Sequence, residues 1–233
     1  VAEYYDADVD NRQTTVIFDD AWDLDAGQRG YFRLQGAVHA AGWMSPLPED
    51  LQSAFGAPYL AGFASNLPID GRSSMGPSLF LWDPAAPMNS SRAHGDVPST
   101  ALLDYSLAHP LHPDMRNDSL TNDLWTGISR AGHGFFTPGK SHYLVVGRSG
   151  GHSSGLGYKI TRENGQKCQG LCPVDYRDTD NYYWLYDVED LLSVHAGAAR
   201  PYDPLPSTYG TWPVSALGKE VAGADFNAST GLL

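Results

Sequence analysis

The sequence predicts an all-β fold built from antiparallel meanders with short helical turns and long loops. Three features of the 233-residue chain support this class: 12% aromatic residues, only 18% charged residues, and 25 glycines together with 16 prolines. Such a balance is typical of many short strands joined by tight turns, and it argues against long helices, disorder and coiled coils. A chain of this length can fold as one β domain, so we expect residues 1–233 to form a single domain.

The first half of the chain contains strand, helix and loop signals in that order. Residues 1–18 read as strand, turn and strand. A short helix is expected at residues 48–56, where proline and two acidic residues precede the apolar positions and a glycine follows them. Residues 76–84 (GPSLFLWDP) alternate in the manner of a half-buried strand. Residues 84–123 are rich in Pro, Asn, Ser, Asp and His, and we expect a long irregular excursion across the surface.

The second half begins with the clearest hairpin signal. Pro138, Gly139 and Lys140 separate two apolar segments and predict a pair of antiparallel strands. Residues 181–192 (NYYWLYDVEDLL) predict another half-buried strand. A second helix is expected with Asp187 as N-cap and with Gly197 just beyond its C-terminus. Residues 221–233 (VAGADFNASTGLL) read as one more strand and turn, and we expect its pairing strand to lie outside the chain.

Two of these segments resemble a known architecture. Residues 221–233 resemble the blade-opening hairpin of bacterial β-propellers, and residues 182–188 (YYWLYDV) resemble a blade strand. The resemblance implies a secreted, propeller-like protein. Because propellers consist of repeated blades, three arrangements remain open: a part of a larger propeller, a blade completed by both terminal strands, or a different meander.

The charge of the chain restricts its partners. Fifteen basic and 27 acidic residues give a formal net charge of −12. A long polyanion is repelled by such a molecule unless the cations cluster on one face, so DNA and RNA are poor partners. No stretch of the sequence approaches the roughly 20 apolar residues of a membrane-spanning helix. We therefore expect no nucleic-acid partner and no membrane span.

The only two cysteines, Cys168 and Cys172, predict a small disulfide loop. Closing so short a loop stabilises a fold by roughly 2 kcal/mol on the chain-entropy model. Two thiols without further cysteines or an adjacent histidine do not suit a structural zinc site. A disulfide fits an oxidising compartment. Together with the start at Val1 and the low lysine content, it predicts an extracellular or periplasmic location.

Residues 147–155 (GRSGGHSSG) follow an apolar strand and contain two overlapping G-x-S-x-G matches. This pattern is typical of a serine nucleophile at a strand-to-helix turn, but residues 156–160 read as a strand, so the required helix is missing. A different use fits better. Glycines would let a substrate approach the backbone, while Arg148, His152 and Tyr158 supply a cation, a base and a phenol.

These three groups suit β-elimination of a uronate polymer. A cation neutralises the carboxylate, a histidine or tyrosine removes the proton at C5, and a tyrosine protonates the leaving oxygen. Some propeller-fold polysaccharide lyases are similar in these residue kinds. His133, which lies between two glycines before an aromatic strand, is a fourth candidate catalytic residue. The alternative is that Arg148 and His152 bond to carbonyls of their own loop.

Acidic and histidine clusters give further candidates. A carboxylate cluster beside Trp22 suits a glycosidase, with a solvated acidic turn as the alternative; its members are Asp19, Asp20, Asp23 and Asp25. A structural Ca²⁺ could be bound by Asp6, Asp8 and Asp10, although the glycine and glutamate of an EF-hand loop are missing. A looser second cluster comprises Asp175, Asp178, Asp180 and Asn181. His109 and His112, each followed by a proline, could ligate a metal together with a distant carboxylate, with surface histidines of a proline-rich loop as the alternative.

We expect a carbohydrate-active or carbohydrate-binding protein, in its most concrete form a polysaccharide lyase or glycosidase that acts on a glycan at a loop-lined rim. The aromatic residues expected to bind the sugar are Trp22, Trp82, Trp125 and Tyr143. The alternative is a non-catalytic structural or interaction module of a larger extracellular assembly, with a protein partner or a second copy paired to its terminal strands. Convergence of the four catalytic candidates in one pocket would favour an enzyme, and dispersal would favour the module.

Overall fold

The computed structural model of the protein describes residues 2–3, 15–18, 31–40, 42–65, 75–85, 95–139, 141–213, 221 and 224. These residues form fourteen β-strands, two α-helices and one 3₁₀ turn at Ala37–Ala40. The sheets are largely antiparallel. The predicted all-β class is therefore confirmed.

The strands and helices have the following bounds. The strands are β1 (Ala2–Glu3), β2 (Thr15–Phe18), β3 (Tyr31–Leu34), β4 (Trp43–Pro46), β5 (Tyr59–Ser65), β6 (Ser78–Trp82), β7 (Gly95–Val97), β8 (Ser99–Leu103), β9 (Arg130–Phe136), β10 (His142–Gly150), β11 (Leu156–Tyr158), β12 (Leu171–Pro173), β13 (Thr179–Asp187) and β14 (Thr208–Thr211). The helices are α1 (Glu49–Phe55) and α2 (Val188–His195).

One eight-stranded sheet dominates the fold. Its order is β14-β13-β10-β9-β5-β6-β8, with β4 also paired to β5. A second sheet has the order β1-β2-β3-β7, in which β7 runs parallel to β3, and β11 pairs with β12 in a separate two-stranded sheet. Within the described part of the chain these strands form neither a closed barrel nor a propeller. The propeller-like arrangement stays a prediction.

The large sheet buries side chains on both of its faces. The larger core includes Trp125, Tyr143, Trp184 and Leu191. The smaller core includes Leu34, Phe80 and Trp82. Strand β6 contributes to both cores, because its alternate side chains point in opposite directions. It is consequently buried along its whole length, whereas the sequence predicted a half-buried strand.

Both predicted helices are present, and both end as expected. Gly56 follows α1 with a left-handed φ of 67° and donates its N–H to the Gln52 carbonyl. Gly197, with φ 73°, follows α2 and donates to the Val194 carbonyl at 2.9 Å. Asp187 is the N-cap residue of α2, but its side chain makes no capping hydrogen bond.

The hairpin around Gly139 is confirmed, since β9 and β10 pair on either side of it. The segment 84–123 is more regular than expected, because it contains β7 and β8. Strand β8 joins the large sheet beside β6, where Leu102 and Leu103 are fully buried. Residues 104–123 have no helix or strand. Among the described residues, no helix is long and apolar enough to cross a membrane.

Candidate functional site

The glycine-rich segment 147–155 spans the end of β10 and the turns after it, and its glycines pack against the protein's own chain. A Cβ on Gly147 would lie 2.0 Å from the carbonyl oxygen of Arg130 on the neighbouring strand β9. A Cβ on Gly150 would lie 2.3 Å from the carbonyl oxygen of Asp178. Both distances are far below contact, so only glycine fits. Close approach of neighbouring strands therefore explains these glycines, where the sequence suggested the approach of a substrate.

Ser149 and His152 form a hydrogen-bonded pair in this segment. The Nε2 atom of His152 lies 2.7 Å from Ser149 Oγ, and its Nδ1 atom lies 2.9 Å from the carbonyl oxygen of Asn122. Because a carbonyl only accepts, Nδ1 carries the proton, and in the neutral ring Nε2 accepts the hydroxyl proton of Ser149. A serine, a base and a group that orients the base are the components of nucleophilic catalysis.

The surroundings of Ser149 nevertheless give the pair a structural role. Ser149 has no solvent-exposed surface, and its Oγ lies 2.6 Å from Ser129 Oγ. Because the Ser149 proton goes to His152 Nε2, Ser149 Oγ accepts the hydroxyl proton of Ser129, and Ser129 Oγ accepts the N–H of Thr126 at 2.8 Å. A buried hydroxyl chain in which every group is satisfied rigidifies the structure around it. The Ser149 hydroxyl is enclosed on both sides by these bonds and presents no surface to a substrate.

Two buried asparagines hold the loop before β9 to the same segment. Asn117 Nδ2 donates to the carbonyl oxygens of Gly151 and His152, at 2.8 Å each. The carbonyl oxygen of Asn122 accepts the His152 Nδ1–H, and Asn122 Nδ2 donates to the carbonyl oxygen of Trp125 within the loop at 2.7 Å. Asn117 opens an N-x-S sequence, but its amide is fully used by these bonds and its side chain is buried. Sequence patterns missed the bonds between the loop and this segment because the bonded residues lie thirty or more positions apart.

The four residues predicted as catalytic occupy three different places. His133 pairs with Val146 across β9 and β10, and Arg148 lies two residues further along β10, so both share the sheet face that points away from the larger core. His152 bonds to Ser149, which follows Arg148 on β10. Consecutive side chains of a strand point to opposite faces, so His152 lies on the face opposite Arg148. Tyr158 belongs to β11 in the separate two-stranded sheet. The predicted assignment of these residues to one active site gains no support from this distribution.

Three of the four aromatic residues predicted to bind sugar are described, and all three are buried. Trp125 and Tyr143 have no exposed surface, and Trp82 is 7% exposed. The ring of Trp125 packs on Trp184 at 4.8 Å between centroids, and the Tyr143 hydroxyl accepts a hydrogen bond from Trp43 Nε1 at 3.3 Å. These contacts make them core residues. A sugar-binding ring needs an accessible face, and local sequence patterns do not distinguish an exposed aromatic residue from a core one.

The predicted metal and glycosidase clusters near the N-terminus lie outside the described residues, namely Asp6, Asp8, Asp10, Asp19, Asp20, Trp22, Asp23 and Asp25. In the second acidic cluster, Asp175 forms a 2.8 Å ion pair with Arg177. The ring of His109 stacks on Tyr202 at 3.9 Å between centroids. Within the described ranges, no group of three or more His, Cys, Asp and Glu side chains is arranged to hold a metal ion. The Ca²⁺ assignment stays a prediction.

The predicted disulfide between Cys168 and Cys172 is present. It joins Cys168, in the connection after β11, to Cys172 of β12, and we name residues 155–173 the disulfide hairpin. Two backbone bonds continue the pairing beyond the strands: Lys159 N–H to the Gly170 carbonyl at 2.8 Å, and Cys168 N–H to the Ile160 carbonyl at 2.9 Å. The disulfide and these bonds brace a projection that lies outside the large sheet.

Two exposed tyrosines lie in this region, each beside a cation. Tyr158 is 56% exposed and Tyr176 is 49% exposed. The Lys159 ammonium lies 5.1 Å from the centroid of the Tyr158 ring, and the Arg177 guanidinium carbon lies 5.7 Å from the centroid of the Tyr176 ring. Such a ring offers an apolar face, a hydroxyl and an adjacent positive charge. Sequence reasoning did not single out Tyr176. A tyrosine followed by a cation occurs on each side of the cysteines, as Tyr158-Lys159 and Tyr176-Arg177, and this pattern could have indicated both residues.

The segment that carries Tyr176 is fixed to the base of the hairpin. Val174 N–H donates to the Gly155 carbonyl at 3.1 Å. The Asp178 carboxylate accepts the N–H and the hydroxyl of Ser154 at 2.8 and 2.7 Å. Burial alone would raise the pKa of Asp178, but these hydrogen bonds and one from the Ser153 N–H outweigh it and hold the pKa below its usual value. Both tyrosines therefore stand on one braced support.

Comparison with protein-family models, with curated proteins and with solved structures finds no match to this chain.

Proposed function

We propose that this protein is a non-catalytic, extracellular carbohydrate-binding module. The observation that carries the proposal is the pair of exposed tyrosines, Tyr158 and Tyr176, each beside a cation on one braced support. An exposed tyrosine packs its ring against the apolar face of a sugar and bonds to a sugar hydroxyl through its own hydroxyl. A propeller-like arrangement is not needed for this function.

Binding is favoured over catalysis by the dispersal of the predicted catalytic residues. General acid–base chemistry needs its groups within hydrogen-bond reach of one bound substrate. His133 and Arg148 lie on one face of the large sheet, whereas His152 contacts the other face. This distribution does not favour a lyase mechanism through these residues. The carboxylates predicted for a glycosidase, Asp19, Asp20, Asp23 and Asp25, lie outside the described residues.

The disulfide supports the proposed location. Disulfides persist in oxidising compartments and are rare in reducing ones. The Cys168–Cys172 bond braces the surface proposed to bind the ligand, so the binding surface and the compartment are linked. A protein in an extracellular or periplasmic compartment also has access to polysaccharides.

The proposal predicts that the purified protein binds one or more polysaccharides and that the two tyrosines carry the binding. In affinity electrophoresis against a panel of neutral and acidic polysaccharides, the Tyr158→Ala/Tyr176→Ala variant should lose about tenfold or more in affinity. An aromatic contact contributes roughly 0.5–1.5 kcal/mol to the binding free energy. The contributions of two contacts add, so their effects on the binding constant multiply.

The matched control is Tyr59→Ala, which removes a third exposed tyrosine (38% exposed) on β5, outside the hairpin. It should bind as well as the unaltered protein. Absence of binding to every polysaccharide in the panel would contradict the proposal and leave a protein-interaction module as the better account, since exposed tyrosines also anchor protein interfaces.

A further inference from the structure

We infer that the ligand is an acidic polysaccharide and that the disulfide hairpin recognises its negative charge. The inference rests on the proposed function, because it assigns the chemical class of ligand to the same surface. It concerns the anionic groups of the polymer, which are the carboxylates of uronates or the sulfates of sulfated glycans.

The hairpin reverses the charge of the rest of the molecule. The chain carries a formal net charge of −12. Residues 155–173 carry three cations against a single acid: Lys159, Arg162 and Lys167 against Glu163. Exposed charges act over about 8 Å at physiological ionic strength. An anionic polymer is therefore attracted at the hairpin, although the molecule as a whole carries a negative charge.

Arg162 is oriented by neutral partners. Its Nε donates to the Pro173 carbonyl at 3.3 Å, and one terminal nitrogen donates to Gln166 Oε1 at 3.0 Å. Both acceptors are uncharged, so the guanidinium is held in place while its charge stays available to an anion. This differs from Arg177, whose guanidinium forms two bonds of 3.0 and 2.8 Å with the Asp175 carboxylate.

Lys159 occupies a backbone position that favours glycine. Its φ of 53° lies in the left-handed region, which disfavours residues that have a Cβ atom. Its N–H nevertheless holds the Gly170 carbonyl, and its ammonium stays beside the exposed Tyr158 ring. Glycine would adopt this backbone conformation at lower energetic cost. The lysine adds a positive charge next to an aromatic ring, which glycine would not supply. A uronate or sulfated sugar stacked on Tyr158 would place its anionic group within reach of that charge.

The test measures affinity for polygalacturonate, dextran sulfate, neutral dextran and duplex DNA at low and high salt, with the unaltered protein and with Lys159→Gly and Arg200→Gln. Polygalacturonate and dextran sulfate separate carboxylate from sulfate recognition. Arg200→Gln is the matched control, because it removes an exposed cation outside the hairpin. Lys159→Gly relieves the left-handed backbone, so its thermal midpoint should be unchanged or higher, and a loss of binding cannot be attributed to unfolding.

The expected result is preferential binding of at least one acidic polysaccharide, weakened by salt, and lowered about three- to fivefold by Lys159→Gly, as for one partly screened charge contact. Arg200→Gln should bind as the unaltered protein does. Equal, salt-independent binding of neutral dextran would overturn the inference and leave the proposed function standing. Binding of DNA as strong as that of the polysaccharides, or unchanged binding by Lys159→Gly, would also overturn the inference. No binding to any polysaccharide would contradict the proposed function itself.

Discussion

At the scale of single residues, Asp178 fixes the segment that carries Tyr176. One carboxylate oxygen accepts the N–H groups of Ser153 and Ser154 at 3.0 and 2.8 Å, and also the Ser154 hydroxyl. The other oxygen faces the N–H of His152 at 3.2 Å. These bonds need the ionised carboxylate, because a protonated acid loses part of its accepting capacity. The charge state of Asp178 is therefore linked to the order of the surface proposed to bind the ligand.

The lowered pKa of Asp178 predicts acid sensitivity with a defined sign. Because the folded pKa lies below the unfolded one, near 3.9, the ionised group contributes stability that is complete above the unfolded pKa and is lost as the pH falls through the folded value. Asp178→Ala should cost about 1–3 kcal/mol near neutral pH, the usual range for lost hydrogen bonds to a charged group. Thermal unfolding from pH 7 down to acidic pH measures both effects.

Asp118→Asn is the control for this prediction, since the Asp118 carboxylate is 72% exposed and lies 3.8 Å from its nearest cation, on Arg116. It should leave the pH profile unchanged. An Asp178→Ala protein with the same stability as the unaltered one would show that the Asp178 bonds do not hold this segment.

At the scale of elements, the disulfide hairpin depends on a covalent brace because its regular pairing is short. Strands β11 and β12 pair over only three positions, from Leu156 with Pro173 to Tyr158 with Leu171. Isolated two-stranded hairpins are marginally stable in water. The Cys168–Cys172 bond joins the loop after β11, at Cys168, to the middle of β12, where Cys172 pairs with Gly157. It restricts the loop that connects the two strands, and it thereby supports the positions of Tyr158 and Lys159, whose segment is bonded to this loop.

The Cys168→Ala/Cys172→Ala variant should lose about 2 kcal/mol of stability, the chain-entropy estimate for so short a loop. It should also bind polysaccharide more weakly, because Tyr158 and Lys159 lose their fixed support. Chemical denaturation and affinity electrophoresis measure the two effects. The unaltered protein treated with a dithiol reductant should behave like the variant, and the variant should not respond to the reductant. Full binding by the reduced protein would show that the brace is not needed for recognition.

Also at the scale of elements, features with local causes were predictable from the sequence. The ends of α1 and α2 and the β9–β10 hairpin depend on Gly56, Gly197 and Gly139, which adopt left-handed backbone conformations at the expected positions. Features with distant causes were not predictable. The tight packing of Gly147 against Arg130, and the burial of Tyr143 in the core, depend on strand pairing that local patterns do not specify.

At the scale of the whole molecule, the dominant sheet provides a rigid base with two cores, and the proposed binding surface projects from it. The large sheet buries Trp125 and Trp184 in one core and Phe80 in the other. Three of the residues predicted to bind sugar, Trp82, Trp125 and Tyr143, are buried in these cores. Their residue types suited the chemistry, but residue type alone did not reveal exposure. The charge of the hairpin, by contrast, was present in the sequence and stood out against a net charge of −12.

Hydrogen–deuterium exchange with and without polygalacturonate locates the bound polysaccharide on the unaltered protein. The account predicts slower exchange in residues 155–178 when the polymer is present, and unchanged exchange in β14 and in α2. Slower exchange confined to β9 and β10 around His133 and Arg148, with residues 155–178 unaffected, would contradict the account and return the site to the face of the large sheet.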